Sequence, residues 1–106
     1  MEYKVTATAV EREYRISGAF CASDEGAFFE IYLQIRRQPE PQVVFDLSQC
    51  TRVDSSAAGM LIVACEEAAK RNLIRVLRNV PAEIKEFLMT SGLGNFYHFQ
   101  EVEKKA

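Results

Sequence analysis

The chain alternates before it turns helical. Tyr3-Lys4-Val5-Thr6-Ala7-Thr8-Ala9-Val10 changes polarity and size with a period of two, which predicts a half-buried strand. Glu11-Arg12-Glu13 reads as a charged turn, and Tyr14-Arg15-Ile16-Ser17-Gly18-Ala19-Phe20 alternates again. The first two strands therefore form a hairpin. Gly18 inside the second strand predicts a bulge or a close backbone approach.

After Phe20 the period becomes that of a helix. Ser23 or Asp24 supplies a cap, and Ala27, Phe28, Ile31, Tyr32 and Ile35 recur on one face, with Glu30, Gln34 and Arg37 opposite. Pro39 and Pro41 end that helix. Val43 to Leu47 is apolar apart from Asp46, the pattern of a central strand covered on both faces. Ser48 to Val53 reads as a polar loop. From about Ser55 the chain is helical again: Leu61, Ala64, Cys65 and Ala68 form the apolar stripe, with Glu66, Glu67, Lys70 and Arg71 mostly off it. Asn72 closes this helix in a left-handed conformation. Leu73 to Leu77 is the next strand. Pro81 opens a short helix with Ile84, Phe87 and Leu88 on its inner stripe, and Ser91-Gly92-Leu93-Gly94 breaks it. Phe96 to Phe99 is a last short strand, and 101–106 is a charged tail that frays. The fold class is α/β. Strand-helix-strand units give parallel pairs with right-handed crossovers, and the N-terminal hairpin makes the sheet mixed, with helices mainly on one face.

Size and charge narrow the function classes. At 106 residues the chain is one domain, 1–106, large enough to bury a core without disulfide or metal staples. A net charge of −2 with interspersed signs argues against nucleic acid as a main partner. No apolar run has the length of a membrane span, so direct membrane insertion is not expected, and the N-terminus lacks the pattern of a signal peptide. Cys21, Cys50 and Cys65 are odd in number and far apart, which reads as reduced thiols in the cytoplasm without metal-ligand spacing. No metal or cofactor is expected.

Candidate chemistry concentrates in Asp54-Ser55-Ser56 at the start of the second long helix. A serine hydroxyl there stands at the positive end of the helix dipole, where a phosphate is well received. The plainer alternative is that these three residues only cap the helix. Asp54 either orients a hydroxyl or partner group, or caps. His98 has no identifiable acid or nucleophile partner in the sequence. There is no Gly-x-Ser-x-Gly elbow and no phosphate-cradling glycine loop.

The strand Val43 to Leu47, the segment Ser48-Gln49-Cys50-Thr51-Arg52-Val53 and the turn Asp54-Ser55-Ser56 together resemble the signature of STAS domains, shared by sulfate transporters and bacterial anti-sigma-factor antagonists. Asn79-Val80-Pro81-Ala82-Glu83-Ile84-Lys85-Glu86-Phe87-Leu88, followed by Thr90-Ser91-Gly92-Leu93, resembles the family's third strand-to-helix unit. The single-domain antagonists of partner-switching systems are the most similar group. The resemblance implies a phosphorylation-controlled binding switch without catalysis of its own. Ser55 is then the phosphoacceptor, with Ser56 as second choice. The partners it implies are a serine kinase that doubles as anti-sigma factor, bound when Ser55 is unphosphorylated, and a metal-dependent serine phosphatase. The partner surface is expected around Thr51, Arg52, Asp54, Ser56, Ala58 and Ser91. Two departures stand out: Ala57-Ala58 replaces the family's Gly-Leu, and Gly18-Ala19-Phe20-Cys21 is apolar where the family tends to carry acids. One alternative is a STAS accessory subunit docked on the ATPase of a membrane transport complex. Another is a hydrolase with Ser55 as nucleophile and His98 as base.

Overall fold

The computed structural model describes residues 1–102, so residues 103–106 of the expected tail lie outside the described residues. The elements run β1 (Glu2–Ala7), β2 (Glu11–Phe20), α1 (Glu25–Ile35), β3 (Gln42–Val53), α2 (Ser55–Ala69), β4 (Ile74–Arg78), α3 (Ala82–Thr90) and β5 (His98–Gln100), with short 3-10 turns at Ala22–Asp24 and Leu93–Asn95. One sheet holds the strands in the order β1-β2-β3-β4-β5. β1 is antiparallel to β2, and the other pairs are parallel. The expected mixed α/β architecture with an N-terminal hairpin is thus present.

Tyr14, Ile16 and Phe20 of β2, Val43, Phe45 and Leu47 of β3, and Leu77 of β4 join one core with Phe28, Ile31 and Ile35 of α1, Leu61, Ala64, Cys65 and Ala68 of α2, and Ile84 and Leu88 of α3. All three helices therefore cover the same face. Tyr97 closes this core from the far end, its hydroxyl donating to Leu61 O at 2.6 Å.

Several local expectations are corrected. Glu11, Arg12 and Glu13 are strand residues of β2; the turn lies earlier, where Thr8 N donates to Glu11 O and Thr8 Oγ1 accepts from the N–H groups of Val10 and Glu11. Glu11 and Glu13 tolerate the strand because Arg78, two strands away, bonds both at 2.7 Å. Ala27 is exposed, so the buried stripe of α1 is Phe28, Ile31 and Ile35. Glu67 is buried, held by Arg36 Nε at 2.8 Å. At the chain's far end, Val102 N donates to Asn79 Oδ1 at 2.7 Å. Asn72 (φ 57°) adopts the left-handed region as expected, and Gly18 (φ +81°) stands at a register shift between β2 and β3, the bulge expected there.

Candidate functional site

The segment expected as a loop before Asp54 is the second half of a strand. β4 accompanies β3 only from Gln42 to Asp46, whereas β2 follows it to Val53. The pairing with β2 shifts register twice, between Arg15 and Ser17 and between Gly18 and Ala19. Each shift inserts one extra β3 residue, which reverses the inward-outward parity. Leu47 and Cys50 are consequently both buried although three positions apart, and Val53, three further on, packs against the same core. A regular period of two has no place for that spacing, which is why the segment reads as a loop in sequence. Thr51 and Arg52 are exposed strand residues at the end of this extension.

Asp54 is the N-cap of α2. Its backbone is extended (φ −103°, ψ −178°), and Oδ1 accepts from Ala57 N at 2.8 Å. Oδ2 accepts from Ala22 N at 3.3 Å, and Asp54 N donates to Phe20 O at 3.3 Å. One carboxylate therefore ties the start of α2 to the turn after β2. The capping work falls on Asp54 and leaves both serines free of it. Ser55 and Ser56 are the first two helical residues, both exposed, and neither hydroxyl has a partner among the described residues. Their backbone N–H groups have no intrahelical acceptor by position. A pair of hydroxyls thus stands beside open donors and the positive helix end.

The other expected partner residues divide. Ala58 is 4% exposed and belongs to the core, because the family's Gly-Leu position is here the inner face of α2, so it is not part of a surface. Ser91 caps the C-terminal end of α3, its Oγ donating to Phe87 O at 2.9 Å. The crossover helices run against the strands, so α2 begins at the end of the sheet where α3 also begins. Ser91 lies at the opposite end and does not share the Ser55 surface. His98 is on β5 in register with Val76, and the cavity it lines, with residues 72–75 and 94–97, does not include Ser55.

A groove between α1 and α2 is absent from the sequence expectations. Ala22, Glu25 and Tyr32 line one side, and Ser56, Gly59, Met60 and Val63 the other, enclosing about 380 Å³. Tyr32 Oη donates to Met60 O at 3.1 Å, and burial, with Glu25 nearby, pushes its pKa up to about 12. Val63 is 41% exposed on the groove's α2 side, and Phe29, 52% exposed, meets the edge of the Tyr32 ring at a centroid distance of 6.4 Å. The missed signal is that Phe29 and Leu33, at i and i+4, form a second apolar stripe beside the buried one.

The same fold recurs in solved structures. SpoIIAA, an anti-sigma factor antagonist in its unphosphorylated form, superposes with a TM-score of 0.81 at 16% identity, covering 97% of this chain and 90% of that one. The Bacillus cell fate determinant SpoIIAA in its phosphorylated form gives 0.76 at 16%, covering 97% and 93%. The STAS domain of the SulP transporter from Vibrio cholerae gives 0.76 at 12%, covering 92% and 77%. No curated protein matches the sequence. Residues 4–101 match the family described as "Mlab, STAS domain", so the chain belongs to the STAS_2 family.

Proposed function

We propose that the protein is a phosphorylation-controlled binding switch of the anti-sigma-factor-antagonist kind, acting in the cytoplasm without catalysis of its own. The observation that carries it is the division of labour at the start of α2: Asp54 caps, and the exposed Ser55 and Ser56 hydroxyls have no structural task among the described residues. Thr51, Arg52 and the two serines form the contact surface for a serine kinase that doubles as anti-sigma factor. A phosphate on Ser55 adds up to about two negative charges. The open N–H groups and the helix dipole accommodate it, so the fold survives and the change acts outward on the partner. A serine phosphatase resets the mark. The likeness to both the unphosphorylated and the phosphorylated SpoIIAA supports a fold that tolerates either state.

A second reading is an accessory subunit docked on the ATPase of a membrane transport complex. The likeness to a transporter STAS domain favours it, as do the uncharged exposed positions of α2 from Ser55 to Val63, which suit constitutive docking without a phosphate. No helix among the described residues is long and apolar enough to cross a membrane. Intact-mass analysis and phosphopeptide mapping of protein isolated from its own cells separate the two. A phosphorylated fraction on Ser55 supports the switch. Phosphate on Ser56 alone moves the site by one residue. No phosphate with stable co-purification of an ATPase favours the subunit.

A further inference from the structure

The groove between α1 and α2 has a self-complementary charge pattern. Both helices return from parallel strands and so point the same way, as the contact of Ala22 N with Asp54 at one end and the Arg36–Glu67 pair at the other confirm. Along their exposed faces the upper half carries only acids, Glu25 and Glu30. The lower ends carry Arg36, Arg37, Lys70 and Arg71 against Glu66 and Glu67. Glu25, Glu30 and Arg37 have no ion pair among the described residues. Between the charged ends lie the exposed Phe29 and Val63, with Met60 and Tyr32 beneath. From Ser56 to Glu67 this stripe is about 16 Å long at the helical rise.

A two-fold axis perpendicular to the helices, passing near Phe29 and Val63, brings the acidic half of one copy against the basic ends of the other. The same operation stacks the two apolar centres. An isologous interface requires this kind of self-complementarity. We propose that the α1–α2 face is the self-association surface of this protein, and that its occupant is a second copy of the chain. Self-association needs no phosphate and stands apart from the Ser55 switch. It has a regulatory consequence all the same. Ser56 lines the groove, so the second copy and the kinase compete for it, whereas Ser55 is not among the lining residues.

Sedimentation velocity of the full chain tests this, with circular dichroism as folding control. The 12.0 kDa monomer is expected to shift toward a dimer as concentration rises. The shift falls over roughly 10 to 500 µM, the range of a small, partly polar interface. Phe29→Ser and Val63→Ser, both at exposed positions, each weaken the dimer about tenfold or more. A charge-swap pair then asks whether the ends meet. Glu25→Lys/Glu30→Lys and Arg37→Glu/Lys70→Glu each stay monomeric alone, and an equimolar mixture forms a heterodimer. A monomer at every concentration overturns the proposal, as does a dimer indifferent to Phe29→Ser, or a mixture that stays monomeric. Should the chain stay monomeric while Phe29→Ser releases a different protein that copurifies with it, the face belongs to that protein and the proposal is likewise overturned. The phosphopeptide map is unaffected by any of these results, so failure here leaves the switch to its own test.

Discussion

The two faces of the sheet bury apolar residues by different means. On the helix-covered face Phe45 sits at the centre of an aromatic cluster, with ring centroids 5.5 Å from Tyr14, 5.6 Å from Phe28 and 6.1 Å from Tyr97. On the other face Val44 and Val76 are as deeply buried, yet they lie outside that core. The path from Arg78 on β4 to Glu11 and Glu13 on β2 crosses β3 above Val44, so the Arg78 stem and its ion pairs form the cover. Arg78 Nε also donates to Gln100 Oε1 at 2.7 Å, and Arg15 joins Glu13 at 3.4 Å. The first face is held by non-directional burial, which is indifferent to pH. The second is held by directional charge pairs, which acid breaks. A sheet can therefore leave one face without a helix when long side chains on it neutralise one another.

The largest expected break is on the helix-covered face. Phe45→Ala removes a wholly buried ring and should destabilise by about 3–5 kcal/mol, read from chemical denaturation. Val44→Ala, one position along the same strand, should cost only about 1.5–2 kcal/mol, because it loses only two methylene equivalents. Equal losses would mean that the charged face packs as rigidly as the core.

The charged face is broken next. Arg78→Met keeps the aliphatic stem over Val44 but strands Glu11 and Glu13, at an expected cost of about 2–3 kcal/mol, below that of a fully buried pair. Acid should weaken this face through Glu11, and the helix side through its own paired carboxylates. The Arg78 hydrogen bond holds the Glu11 carboxyl below its ordinary 4.5, opposed by burial, and Arg12 and Arg36 do the same for Glu40 and Glu67. A carboxyl whose folded pKa is depressed stabilises the fold above its unfolded value and loses that contribution as pH falls through the folded one. The melting temperature should therefore be flat from neutral pH down to above 4.5 and fall below it. In Arg78→Met the Glu11 share of that fall should vanish. An unchanged acid slope would place the sensitivity elsewhere.

What was legible in the sequence follows the same divide. The helix-covered core was readable because Leu61, Ala64, Cys65 and Ala68 obey one period within one element, and all four are buried. The charged face was misread because Glu11 and Glu13 look like turn residues until Arg78, more than sixty positions later, is placed over them. The end of β3 was misread because two bulges break its alternation at Leu47 and Cys50. Asp54, Ser55 and Ser56 stand out in the sequence from local chemistry and family resemblance together. Which of the three caps was not decidable, since Asp and Ser serve equally well there. Ala58 and Ser91 were misplaced for a different reason: whether a helical residue points inward, or lies at one end of the sheet rather than the other, is set by the crossovers.

The smallest expected effects are the ones that sharpen the contrast at the start of α2. Asp54→Ala removes the acceptor of Ala57 N and the link to Ala22 N, and should cost about 1 kcal/mol or somewhat more, the usual value of a lost N-cap. Ser55→Ala removes a hydroxyl with no partner among the described residues, and should change stability by no more than about 0.5 kcal/mol. Ser55→Asp places a carboxylate in the first helical turn, where the dipole favours it, so its melting temperature should equal or slightly exceed that of Ser55→Ala. Binding should separate them in the opposite sense. Calorimetry with the captured kinase partner is expected to show Ser55→Ala close to wild type and Ser55→Asp weakened, with the phosphorylated protein weaker still because its charge is larger. A Ser55→Ala loss as large as that of Asp54→Ala would make Ser55 a capping residue after all. Equal affinity for the unmodified, substituted and phosphorylated forms would leave the exposed hydroxyl without a signalling role.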